Sequence, residues 1–143
     1  MKASFNCINL IKEFEGCKLE AYLDSVGIAT IGFGSTRGVK LGQKITYQEA
    51  EQLLIRDMAF AENAVNRLVK SKINQNQFDA LVSFVFNLGE GNFSKSTLLR
   101  KVNANPNDIS IRQEFNKWVN AGGKPLNGLV RRRAKESELY FRK

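Results

Sequence analysis

The chain contains no histidine. That absence removes several chemistries at once: neither a Ser-His-Asp nor a Cys-His nucleophilic site can be assembled, nor a histidine-ligated zinc. Only two cysteines are present, too few for a cysteine-built structural zinc, so zinc amidases and zinc peptidases are excluded on ligand grounds. Carboxylates, lysine and tyrosine remain for acid–base work near neutral pH. Long apolar runs are also missing. No stretch of about 18 apolar residues exists that could span a bilayer. The opening Met1-Lys2-Ala3-Ser4-Phe5-Asn6 puts Lys and Asn where a signal peptide carries its apolar core. Neither a signal peptide nor a transmembrane segment is therefore expected.

The two cysteines, Cys7 and Cys17, are ten positions apart on or just past one N-terminal helix. A rise of 1.5 Å per residue separates them by about 15 Å, beyond the roughly 7 Å that a disulfide tolerates between Cα atoms. They read as free thiols, which suits synthesis in a reducing cytoplasm. What the chain has in excess is positive charge. Lys and Arg number 22 against 14 Asp and Glu, a formal net charge of +8. Such a field attracts nucleic acid, anionic membrane surfaces or an acidic wall polymer, and does not choose among them.

With 143 residues the chain fits one domain, able to bury a core without disulfides or metals. Cys7, Leu10, Ile11 and Phe14 form one stripe at helical spacing, so Ser4 to Glu15 reads as a helix that Gly16 stops. Glu15 then occupies its last turn. From Lys18 to Val39 short apolar runs are split by Asp24-Ser25-Val26-Gly27, the texture of a small antiparallel sheet. Thr46-Tyr47-Gln48-Glu49 is a capping box and opens a long helix to about Lys70. Asn74 to Gln77 repeats the cap ahead of a helix ending at Gly89. Further helices are expected over Ser94–Val102, Asp108–Val119 and about Asn127–Phe141, with Ala121-Gly122-Gly123 as a break. The fold class is α+β, predominantly helical.

Three residues carry the chemistry: Glu15, Asp24 and Thr30. A hairpin centred on Gly27 makes Asp24 and Thr30 cross-strand neighbours, with Cβ atoms about 5 Å apart. Thr30, Gly32 and Gly34 share one face of their strand, and Ile31 and Phe33 share the other. The glycines leave that first face stripped, with backbone open to a ligand. Taken singly, a helical Glu reads as solvated, a turn Asp as an Asx-turn, and glycines as turn residues. The joint spacing is what singles them out.

Leu10-Ile11-Lys12-Glu13-Phe14-Glu15-Gly16, then Ala21-Tyr22-Leu23-Asp24 and Thr30-Ile31-Gly32-Phe33-Gly34, closely resemble the active-site stretch of phage-type lysozymes, or endolysins. Gln77 to Phe84 followed by Phe86-Asn87-Leu88-Gly89 resembles the family's core helix and its glycine stop. Trp118-Val119, Gly128-Leu129 and Arg131-Arg132-Arg133 resemble its C-terminal signature. Ser35-Thr36 departs from the family, where many members place His or Trp.

The resemblance implies a lysozyme-like two-lobe fold: an N-terminal lobe of about 14–46 with the sheet, a bridging helix of about 47–70, and a helical lobe of about 71–143 together with helix 4–15. It implies hydrolysis of the β-1,4 bond between N-acetylmuramic acid and N-acetylglucosamine in peptidoglycan. Glu15 would be the general acid, its pKa raised by partial burial in a cleft between the lobes, with Asp24 and Thr30 orienting the attacking water. Substrate contacts would come from Leu23, Gly32, Gly34, Phe86, Asn87 and Ser96. An arginine of the 131–133 run would approach Glu13 or Glu15, and the other two read as a solvated basic face. No cofactor or metal is implied. A monomer is expected to wait in the host cytoplasm for a membrane-permeabilising holin, then act on the wall, its charge drawing it to anionic cell-wall or outer-membrane surfaces.

Two other readings fit parts of the sequence. A lytic transglycosylase cuts the same bond with one Glu, without needing an Asp–Thr pair to place water. A DNA-binding helix–Gly turn–helix over Ala80–Val102 would use the charge, with Ser94, Lys95, Ser96 and Arg100 on its second helix. It leaves Glu15, Asp24 and the glycines unexplained, and Phe78, Leu81, Val85 and Phe86 suit a larger core. No nucleic-acid partner is expected.

Overall fold

A computed structural model describes residues 1–143. In chain order the elements are α1 (Phe5–Glu15), β1 (Lys18–Leu23), β2 (Ala29–Gly32), α2 (Tyr47–Leu68), α3 (Gln75–Leu88), α4 (Glu90–Lys95), α5 (Thr97–Ala104), α6 (Ile111–Asn116), β3 (Asn120–Ala121), β4 (Lys124–Pro125) and α7 (Asn127–Tyr140). Helices dominate and both sheets are two-stranded and antiparallel, an α+β fold. No helix is long and apolar enough to cross a membrane.

The chain divides into two compact units, residues 11–59 and residues 1–10 with 60–143, and the boundary falls inside α1 and α2. In the sheet-bearing unit Ile11, Ile31, Phe33, Ala50, Leu54 and Met58 are buried. In the helical unit α3 and α7 supply most of the packing. Phe84 is its hub, meeting Phe93, Phe115 and Trp118 edge-on at centroid distances of 6.0, 5.7 and 5.8 Å, the arrangement that ring quadrupoles favour.

The helix starts follow local chemistry. Glu49 N–H donates to Thr46 Oγ1 at 3.1 Å while Thr46 N–H donates to Glu49 Oε1 at 3.0 Å, so the box ahead of α2 is formed. Asn74 and Gln77 do the same for α3, at 2.8 and 2.9 Å. The start of α1 is tied from afar: Ser4 gives its N–H at 3.0 Å and its hydroxyl to the two oxygens of Asp79 on α3.

Three expectations need correction. The helix placed over Ser94–Val102 is two helices, because Ser96 breaks one and caps the next: its Oγ donates to Phe93 O at 2.7 Å and accepts Leu99 N–H at 3.0 Å. The helix placed over Asp108–Val119 shrinks to Ile111–Asn116, since Asp108 Oδ1 takes Ser110 N–H at 2.9 Å and holds a turn where the first helical turn was expected. The break at Ala121–Gly123 is a small hairpin, β3–β4, with Gly122 and Gly123 at φ +60° and +81° closing the two-residue turn.

Both cysteines are free. Burial pushes the Cys7 thiol far up, with the carboxylates of Asp79, Glu136 and Glu62 adding to it. Cys17 is half-buried and raised by burial, with Lys12 pulling it back. Thiol titration of the native protein at pH 8 should therefore find one reactive group, Cys17, and reach Cys7 only on unfolding. Two equally fast thiols would contradict this packing.

Candidate active site

Glu15 is the last residue of α1 and is half-buried. Gly16, at φ +67°, turns the chain into β1, and its N–H donates to Lys12 O at 3.2 Å. One turn back on α1, Lys12 pairs with Glu51 and lies 5.5 and 5.2 Å from the ring centroids of Phe33 and Tyr47. The hydrogen bond from Lys12 to Glu51 raises the lysine above its usual range. A Cβ added to Gly34 would stand 3.8 Å from Glu15 Oε2. Helix end and β2 loop therefore converge on the Glu15 carboxylate.

Asp24 closes the β1–β2 turn with its own side chain. Oδ1 accepts the N–H groups of Val26 and Ile28, both at 2.9 Å. Asp24 N–H donates to Ile28 O at 2.9 Å, and that same carbonyl accepts the Thr30 hydroxyl at 2.9 Å. Ile28 thus joins Asp24 and Thr30 through its main chain: its N–H holds one and its C=O holds the other.

The register differs from the expected one. Thr30 faces Tyr22, and Ala29 faces Leu23. Asp24 then opposes Ile28, and Thr30 is its diagonal neighbour, about 7–8 Å away between backbones rather than directly across. The reason is that the turn centres on Val26 and not Gly27. The slip moves each partner by two positions, so Asp24 and Thr30 keep a common face.

The stripped strand face is also absent. β2 ends at Gly32, and Ile31 and Ser35 exchange two backbone hydrogen bonds of 2.9 Å. Gly32 and Gly34, at φ +67° and +93°, lie in the tight loop so closed. Gly32 is buried against Ala50 Cβ, 3.4 Å from where its own Cβ would be. Gly34 is exposed, as is Leu23 at the end of β1.

In the helical unit, Phe86 is half-buried and stacks on Phe60 with centroids 6.2 Å apart. Asn87, half-buried, accepts a hydrogen bond from Arg133 Nη2 through Oδ1. Ser96 is buried and its hydroxyl is engaged at the α4–α5 break. Arg132 and Arg133 are buried, not solvated, because Glu136 lies between them: 3.4 Å from Arg132 Nε and 3.0 Å from Arg133 Nε. Arg131 is on the exposed side of α7. Sequence reasoning missed Glu136 and Ser83, whose Oγ donates to Glu136 at 2.5 Å. The available signal was a polar Ser83 inside the otherwise apolar run Ala80–Val85.

The phage lysozyme family matches residues 12–136. The chain belongs to the phage lysozyme family. As a phage lysozyme it is a glycoside hydrolase, a muramidase whose substrate is peptidoglycan. It is 40% identical to the endolysin of Salmonella phage P22 over 99% of both chains, and a solved point mutant of P22 lysozyme superposes with a TM-score of 0.90. It is 41% identical to the endolysin of Acyrthosiphon pisum secondary endosymbiont phage 1, over 92% of each. The muramidase domain of SpmX from Asticaccaulis excentricus is 37% identical over 99% of both chains, with a TM-score of 0.91. A lysozyme of this family leaves no place for the helix-turn-helix reading, and the helix it required is broken at Ser96.

Asp24→Asn keeps a side-chain oxygen for Val26 and Ile28, whereas Asp24→Ala frees both amides. The Asn variant should keep its stability within about 1 kcal/mol of the parent, and the Ala variant should lose about 1–2 kcal/mol more, read from thermal melting. Equal melting points for the two would show that these bonds do not close the turn.

Proposed function

We propose that Glu15 is the general acid of this lysozyme and that Asp24 and Thr30 hold the attacking water. The observation that supports this reading is that one compact unit, residues 11–59, carries both a carboxylate at a helix end beside Gly34 and an Asp–Thr pair fixed through one peptide backbone. Glu15 donates a proton to the leaving glycosidic oxygen. The Thr30 hydroxyl has its hydrogen committed to Ile28 O, so Oγ1 is left to accept one from water. Both backbone bonds to Asp24 fall on Oδ1, so Oδ2 is the oxygen that takes the second water hydrogen. A water gripped this way attacks the anomeric carbon from the face opposite the acid and inverts it.

In the sheet-bearing unit Leu23 and Gly34 would offer exposed backbone to a glycan; in the helical unit, taken by itself, Phe86 and Asn87 are the half-buried candidates for a sugar contact. Gly32 and Ser96 act as supports, one seating β2 on Ala50 and the other capping α5. Outside the site, the +8 charge draws the protein to anionic wall and membrane surfaces, where it arrives once a membrane-permeabilising partner releases it from the cytoplasm.

Glu15→Gln should lose wall clearing by about a thousandfold with an unchanged circular dichroism spectrum, as expected when the proton donor is removed. A Glu15→Gln protein that still clears cell walls would refute the acid assignment. Thr30→Val should keep the fold but lose turnover. Mass spectrometry of the parent's products should find reducing-end sugars. An anhydro-sugar would mean transglycosylation, and no water to position.

A further inference from the structure

Ser35 stands where the sequence departs from many phage lysozymes, and it is buried. Its hydroxyl donates to Oδ2 of Asp57, on α2, at 2.5 Å. That is the length of a charge-assisted hydrogen bond, about twice as strong as a neutral one. The other carboxylate oxygen, Oδ1, accepts two hydrogen bonds from Arg56, at 3.1 and 2.9 Å. Asp57 is thus held at both oxygens and gives Ser35 a fixed anchor.

What this anchor secures is Gly34. That residue has no side chain to hold it, so its neighbours set its place beside Glu15 Oε2. On the preceding side the grip is apolar: Gly32 lies on Ala50, and Phe33 meets Tyr47 edge-on at 5.9 Å. Apolar contacts resist separation but have no preferred direction. On the following side Ser35 bonds to Ile31 through the main chain, which closes the loop on itself. Its hydroxyl bond to Asp57 is directional and ties the loop to a helix.

We infer that Asp57, acting through Ser35, is a positioning residue that holds the Gly34 backbone against the Glu15 carboxyl group. This rests on Glu15 being the general acid. A loosened loop frees the carboxyl to take other rotamers, so fewer bound glycans meet an acid aimed at the bridging oxygen. The loss falls on turnover. Were Gly34 a glycan contact and nothing more, it would fall on KM.

The test measures kcat and KM separately on soluble peptidoglycan strands, well below the melting temperature, with circular dichroism fixing the folded fraction of each variant. Ser35→Ala should lower kcat about tenfold with little change in KM, a small misplacement of the acid being enough for that. Asp57→Ala should cost the same factor, and the two together no more than either alone. Asp57→Asn is the rescue. A serine hydroxyl both donates and accepts, so an asparagine facing it keeps a bond whichever way its amide lies. Arg56, about a third exposed, can turn to water, and kcat should stay near the parent's.

A Ser35→Ala protein that melts earlier yet turns over at the parental rate has lost stability alone, and that overturns the inference. So does a raised KM at unchanged kcat. If Ser35→Ala does not fold, the Asp57 variants decide: a low kcat in Asp57→Ala with recovery in Asp57→Asn supports the inference, and equal values overturn it. An active Glu15→Gln protein defeats the acid assignment itself. An inactive one, beside a fully active Ser35→Ala, defeats only the positioning role.

Discussion

The helical unit is organised around a carboxylate that it has taken out of water. Burial pushes Glu136 above the usual carboxylate range, and the guanidiniums of Arg133 and Arg132 pull it back. Each of the three groups is tolerable only because the others are there, since removing one leaves a buried charge uncompensated at a cost of about 3–5 kcal/mol. That dependence fixes how α7 lies on α3. Sliding one helix past the other by a turn would part Glu136 from Ser83 and Arg133 from Asn87 together, whereas apolar side chains alone would tolerate several registers. The aromatic cluster around Phe84 fills space on the same two helices, and Arg133 lies against that ring.

The sheet-bearing unit works by another rule. Six basic and seven acidic residues fall within 11–59, so its net charge is −1, and the helical unit carries the remaining +9 that brings the chain to +8. The groups proposed to react are placed by main chain more than by packing. Glu15 is set by the end of α1, and Asp24 and Thr30 are set by one peptide backbone. Turns of this kind are stiff for their size because each polar group closes a ring of few atoms.

Much of this was legible in advance, for identifiable reasons. The capping boxes at Thr46–Glu49 and Asn74–Gln77 are local, so four residues decide them. Gly16 and Gly89 stop their helices through a backbone conformation that other residues resist. Glu15, Asp24 and Thr30 stood out by spacing and by likeness to a known family. What escaped depended on contacts distant in sequence or on small differences in turn geometry. Glu136 stands only three and four residues beyond Arg133 and Arg132, but the α3 partners that show this group to be buried, Ser83 and Asn87, are some fifty residues away. The β1–β2 register rested on which residue centres the turn, and the pattern put Gly27 where the structure has Val26. Strands of two residues, as in β3 and β4, are too short to show alternation.

At Ile28 the site's reliance on main chain has an evolutionary side. The Ile28 side chain is half in solvent, and neither bond that joins Asp24 to Thr30 involves it. Almost any amino acid can stand there without disturbing the pair, so sequence drift at this position carries no information about its importance. Proline alone is barred, since it has no hydrogen to give the aspartate. A position can thus be indispensable to the geometry of a turn and, in an alignment, look like filler.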